Sequence, residues 1–139
     1  MAESQNIAQQ EKLGAAVSSG DLDQLDDVFA AGCVDHDPAP GQQQGPEGFK
    51  GFFSTMRAAF PDFGVEVDKM VTDEDNVAIA YTITGTHEGE FEGIAPTGRK
   101  VEVRGVQIGR FEDGKIVERW GASNELAILQ QLGAAPETG

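Results

Sequence analysis

The hydrophobic period of this chain changes once, just after Pro61, and that change limits the fold more than any single motif. Before it, apolar residues recur at helical spacing. Ile7, Leu13, Ala16 and Val17 predict an amphipathic first helix over residues 5–19. Leu22, Leu25, Val28 and Phe29 predict a shorter second helix over residues 22–31, capped by Ser19 or Asp21 and ended by Gly32. Residues 33–45 carry prolines, glycines and three glutamines and read as a loop. Pro46 suits the first position of a third helix, whose apolar stripe is Phe49, Phe52, Phe53, Met56 and Phe60, and Pro61 stops it.

After Pro61 the period is two. Val65, Val67 and Val71 predict a strand, and Asp73 to Asn76 a turn. Val77, Ile79, Tyr81 and Ile83 alternate with Ala78, Ala80, Thr82 and Thr84, the clearest strand of the chain. Val101, Val103, Val106, Ile108 and Phe111 mark another, and the turn around Asp113-Gly114 returns it to Ile116, Val117 and Trp120. Asn124 then caps a closing helix with Leu126, Leu129 and Leu132 on or near one face, and Gly133 stops it. Helices first and an antiparallel meander after them predict an α+β layer, with helices over one face of a curved sheet and a cavity in its concave side. One domain is expected over 1–139, ordered over about 5–133, with 134–139 as a tail.

Composition excludes several functions. The net charge of −14 opposes nucleic acid and anionic membranes, which call for a basic face. No window has the apolar length of a membrane span, and the N-terminus lacks a secretory pattern, so a cytoplasmic location is expected. The single Cys33 rules out an internal disulfide and reads as a small residue at a helix end rather than a nucleophile. No glycine-rich nucleotide loop and no histidine pair at helical spacing occurs, so neither a cofactor nor a metal is expected.

The words Asp35-His36-Asp37-Pro38, Gly45-Pro46-Glu47-Gly48, Ala59-Phe60-Pro61-Asp62, Gly85-Thr86-His87-Glu88, Gly93 to Gly98, Asp113-Gly114-Lys115-Ile116 with Trp120, and Gln130-Gln131-Leu132-Gly133 follow one another along nearly the whole chain. In that order they resemble the SnoaL-like polyketide cyclase (ester cyclase) family of the nuclear-transport-factor-2-like superfamily. The resemblance implies a cone-shaped α+β barrel with an internal pocket, self-association as a homodimer, and a cofactor-free intramolecular aldol closure of a polyketide ester. It also implies an aspartate acid/base four residues after the tryptophan. Asn124 stands there, and an amide cannot act as a base, although it can orient a carbonyl.

An aldol closure needs a group that takes a proton from carbon and returns one to oxygen. His36 and His87 are the histidines of the chain, and each has two readings: a catalytic imidazole, or one bonded to neighbouring backbone or facing water. Asp35 and Asp37 flank His36 and can hold its tautomer, or can be turn formers. Along an extended run from Ile116 to Asn124, Trp120, Ala122 and Asn124 share a side, so Trp120 and Asn124 are expected to bound the pocket. Tyr81, Gln107 and Phe53 are the further ligand contacts expected. Arg104 pairs with Glu102 or Glu118, or meets an anionic group. The expected partner is a small hydrophobic ring compound bearing oxygens, which the protein cyclises or, alternatively, carries or senses unchanged; a hydrolase, hydroxylase or isomerase using the same pocket is the remaining alternative.

Overall fold

A computed structural model describes residues 2–39 and 41–134; the expected tail from 135 onward lies outside them. Among the described residues the order is α1 (Ala2–Ser19), a 3-10 turn (Leu22–Gln24), α2 (Leu25–Val28), β1 (Phe29–Asp35), α3 (Pro46–Ala59), β2 (Gly64–Thr72), β3 (Asn76–Thr86), β4 (Lys100–Glu112), β5 (Lys115–Ser123) and α4 (Glu125–Gln131). The strands form one sheet in the order β1-β5-β4-β3-β2. β2 to β5 are an antiparallel meander, and β1 joins β5 in parallel. The α+β layer is as expected, and the curved sheet stays open rather than closing into a barrel.

The second helix is shorter than its apolar spacing implied. It ends at Val28, and Phe29–Asp35, read as helix end and loop, is a strand. Phe29 and Cys33 are buried, while Val34 is exposed. Residues such as Ala30, Ala31 and Gly32 have little preference for a strand, and β1 is held by a partner far along the chain. Tertiary pairing overrides local preference here.

Other local signals translate directly. Asp113 and Gly114 both have positive φ, 50° and 77°, as a tight two-residue hairpin turn between β4 and β5 requires. Asp73 Oδ1 accepts the backbone N–H groups of Asp75 and Asn76 and closes the β2–β3 turn. α4 turns Ile128 and Leu132 inward, one helical turn apart, whereas Leu126 is exposed.

The core lies between the concave sheet face and the helices. α1 contributes Leu13, Ala16 and Val17; α3 contributes Phe49, Met56 and Ala59; the sheet adds Val77, Ile79, Ile83, Val101, Val103 and Ile116. Phe29 and Phe49 stack at 4.0 Å between ring centroids. Full burial of such a side chain contributes about 1.5–3 kcal/mol. The buried stripe of α1 also contains Asn6 and Gln10, in helical phase with Leu13 and Val17. Asn6 Nδ2 donates to Glu74 O at 3.4 Å, and Gln10 lines a cavity.

The candidate functional site

The cavity has a volume of about 240 Å³ and lies between α1, α3 and the concave faces of β2 to β5. Phe49, Phe52, Phe53, Phe63, Val65 and Ile83 make its apolar wall. Its rim is the stretch after β1, with Asp37, Pro38, Ala39 and Gln42, together with Glu125 at the start of α4. Tyr81, Gln107 and Arg119 supply polar atoms from three adjacent strands.

Arg119 is the centre of that polar group. Its Nη1 donates to Asp35 Oδ1 at 3.1 Å and Oδ2 at 3.3 Å, and its Nε donates to Gln107 Oε1 at 3.0 Å. Side-chain exposures of 16% for Arg119 and 7% for Asp35 make this a buried ion pair. The guanidinium also lies 5.9 Å from the Phe49 ring centroid. Asp35 is further satisfied by Gln42 Nε2 at 3.0 Å and the Asp37 N–H at 2.9 Å. Because Arg119 occupies Gln107 Oε1, the free end of that amide is Nε2, a buried donor without a partner. Gln10 Oε1, on a residue only 2% exposed, is a second buried polar atom without a partner on the cavity wall. Buried polar atoms left unpaired are costly, so both call for a polar ligand or water.

Tyr81 leans across Gly105, its cross-strand partner. A Cβ on Gly105 would lie 2.6 Å from Tyr81 Oη, so glycine is what lets the phenol reach over β4. Burial pushes the Tyr81 phenol above its ordinary value and nearby Arg119 offsets part of that, which keeps Tyr81 protonated as a donor at neutral pH.

Of the residues expected at the site, Phe53, Tyr81 and Gln107 line the cavity. The others are placed elsewhere. Trp120 does not wall the cavity. A β-bulge shifts the β4–β5 register between Ile116 and Glu118, so the two sides of β5 exchange beyond it. Ile116 is buried in the core, Arg119 and Gly121 then face the cavity, and Trp120 pairs with Ile108 on the outer face. There its ring stacks on His36, with centroids 4.8 Å apart. His36 faces outward too, with Nε2 2.8 Å from Glu118 Oε2. Glu118 Oε1 accepts from Arg110 Nε at 2.6 Å. His36 first and Arg110 second hold the Glu118 carboxyl below its ordinary value. Asp35 and Asp37 lie on the cavity side and hold no imidazole, because side chains alternate along the extended chain.

His87 is fully buried, outside the cavity lining, with its ring 5.6 Å from that of Phe60. Its Nδ1 accepts the Thr97 N–H at 3.2 Å, which puts the ring proton on Nε2. Asn124 is the N-cap of α4: its Oδ1 accepts the Ala127 N–H at 3.0 Å. Arg104 is exposed on the outer face, 3.8 Å from Asp68. Cys33 lies inside β1, where burial first and Asp35 second push its thiol up to about 11. Among the described residues no group of three or more His, Cys, Asp or Glu side chains is placed to hold a metal. No helix among them is long and apolar enough to cross a membrane.

Arg119 and Gln10 had no sequence signal as site residues. The bulge hides which way Arg119 points, and Gln10 differs from the other glutamines only by its phase on α1.

Comparison with solved structures finds the same fold in other proteins. TsrD from Streptomyces laurentii superposes with a TM-score of 0.88 at 25% identity, over 97% of this chain and 99% of its own. AclR from Streptomyces galilaeus gives 0.86 at 31% identity, over 99% of this chain and 90% of its own. IdmH from Streptomyces antibioticus gives 0.82 at 34% identity, over 92% and 98%. A comparison with curated proteins finds no match. The profile of the SnoaL-like polyketide cyclases matches residues 8–132. With nearly its whole length accounted for by that profile, the chain belongs to the SnoaL-like polyketide cyclase family.

Proposed function

We propose that the cavity binds a hydrophobic ring compound bearing carbonyl oxygens and closes a further ring in it by acid/base chemistry without a cofactor. The observation that carries this reading is the pair of unpartnered buried atoms, Gln10 Oε1 and Gln107 Nε2, on an otherwise largely aromatic and aliphatic wall. In an aldol closure a base takes a proton from a carbon beside a carbonyl. That carbon's electron pair forms the new C–C bond, and the receiving carbonyl oxygen becomes an alkoxide that takes up a proton. Nothing is oxidised or reduced. Gln107 Nε2, the Tyr81 hydroxyl and Arg119 are donors fixed before the reaction, the arrangement that stabilises a developing oxyanion. Phe53 and Phe52 offer faces for a flat ring.

AclR is described as a candidate hydroxylase and IdmH as a candidate polyketide cyclase; the family match favours the second chemistry. The test is calorimetric titration with a panel of anthraquinone and naphthoquinone methyl esters. Saturable binding that weakens at least tenfold in Gln107→Leu supports the reading, and no binding across the panel refutes it. A carrier or sensor is the second reading, favoured by the absence of both histidines and Asn124 from the cavity lining. Native mass spectrometry separates the two, because a carrier releases its ligand unchanged.

We also propose that the protein acts as a homodimer through the outer sheet face. That face exposes Val106 (56%), Ile108 (43%) and Val71 (55%), beside the His36–Trp120 stack. Light scattering should give twice the chain mass and fall to one in Val106→Asp; a monomeric parent refutes it.

A further inference from the structure

The ring closure proposed above needs a group that takes a proton from carbon. The titratable side chains lining the cavity are Asp35, Asp37, Tyr81, Arg119 and Glu125. Asp35 is committed: Arg119, Gln42 and the Asp37 N–H occupy its two oxygens. Arg119 is a donor with no acceptor site, and burial raises the Tyr81 phenol so that it too stays a donor. Asp37 and Glu125 remain.

Asp37 is an exposed residue anchored at the cavity rim. The β1–β5 ladder ends where the His36 N–H donates to Arg119 O at 2.9 Å. The next rung is made by a side chain: Asp37 Oδ2 accepts the Gly121 N–H at 2.8 Å. Gly121 is the cross-strand partner of Gln107, so the anchored carboxylate and the free Gln107 donor flank β5 from its two sides and line the same cavity. Asp37 Oδ1 has no hydrogen-bond partner among the described residues. Glu125, exposed like Asp37, has no such anchor among them; it occupies the first turn of α4.

We infer that Asp37 is the proton-accepting catalytic residue of the cavity, with Gln107 Nε2 and Arg119 receiving the oxygen on which negative charge develops. The inference rests on the acid/base reading of the cavity. The carboxylate that the family resemblance places after the tryptophan is thus delivered from the stretch after β1. Its one anchored oxygen holds it in place, and its free oxygen takes the proton.

The test uses nitrobenzisoxazole, a flat aromatic probe that reports proton abstraction alone. The Asp37 carboxylate takes the ring C–H proton, the C–H electron pair completes a nitrile, and the N–O bond breaks. Its pair stays on oxygen as a coloured cyanonitrophenolate, and water takes the proton from Asp37. The substitution is Asp37→Asn, because an amide oxygen still accepts the Gly121 N–H but cannot act as a base. The expected result is saturable turnover above that of free acetate, with kcat/KM at least about tenfold lower in D37N, KM within about twofold and an unchanged melting temperature. Turnover retained in D37N, or lost in Glu125→Gln while D37N keeps it, overturns the assignment. Saturable probe binding without turnover also overturns it and leaves the ligand-binding reading standing; failure of the probe and of the quinone esters to bind overturns both.

Discussion

Replacing Arg119 by Met tests whether the polar floor of the cavity is also a structural element. Methionine fills the space of the aliphatic stem and removes the cation. Asp35, whose side chain is only 7% exposed, keeps Gln42 Nε2 and the Asp37 N–H but loses its counter-charge. Breaking a buried pair from one side costs about 3–5 kcal/mol, and the two remaining donors put this case near about 3 kcal/mol. Gln107 Oε1 loses its donor in the same step, at about 1 kcal/mol more. For a chain of this size a loss of about 4 kcal/mol lowers the melting temperature by roughly 12 °C. Urea unfolding at neutral pH should show the midpoint falling with an unchanged slope. Asp35→Asn added to Arg119→Met should recover at least about 1.5 kcal/mol relative to the sum of the single changes, because neither charge is then left alone. A cost for Arg119→Met below about 1 kcal/mol, or strict additivity in the cycle, refutes the reasoning.

Three further outcomes follow from other contacts. Gly105→Ala puts a Cβ 2.6 Å from Tyr81 Oη, so the phenol must swing away; quinone-ester affinity should fall about tenfold at a stability cost of about 1 kcal/mol, read by calorimetry and melting. Cys33, with its thiol pushed from 9.0 up to about 11, should resist iodoacetamide in the folded protein at pH 8 and react on unfolding; since the unfolded thiol ionises first, stability should decline as pH rises from 9 towards 11, a decline that Cys33→Ala removes. The Thr86 N–H and hydroxyl hold the Asp62 carboxyl below its ordinary 3.8, so this contribution is present above that value and is lost as pH falls through the lower folded value; acid unfolding of Asp62→Asn should lack that part of the slope.

What the chain revealed in advance was local in origin. The alternation from Val77 to Ile83, the Asp113-Gly114 turn, the aromatic stripe of α3 and the cap at Asn124 depend on neighbours within a few residues, and each is found in place. β1 was not legible, because its residues have little preference for a strand and its partner β5 lies near the other end of the chain. Of the site residues expected from the sequence, Phe53 on α3 and Tyr81 and Gln107 on regular stretches of β3 and β4 line the cavity.

By itself, then, the sequence determined the element types, the α+β class and the kind of side chains available to a cavity. The tertiary structure alone decided which of them enter it. One bulge near Val117 exchanges the faces of β5, sending Trp120 outward and Arg119 inward. The parallel pairing of β1 brings Asp35 and Asp37 to that same strand. The physical reason is that side-chain direction has a period of two, so a single inserted residue reverses everything beyond it, and only the partner strand decides where that residue goes.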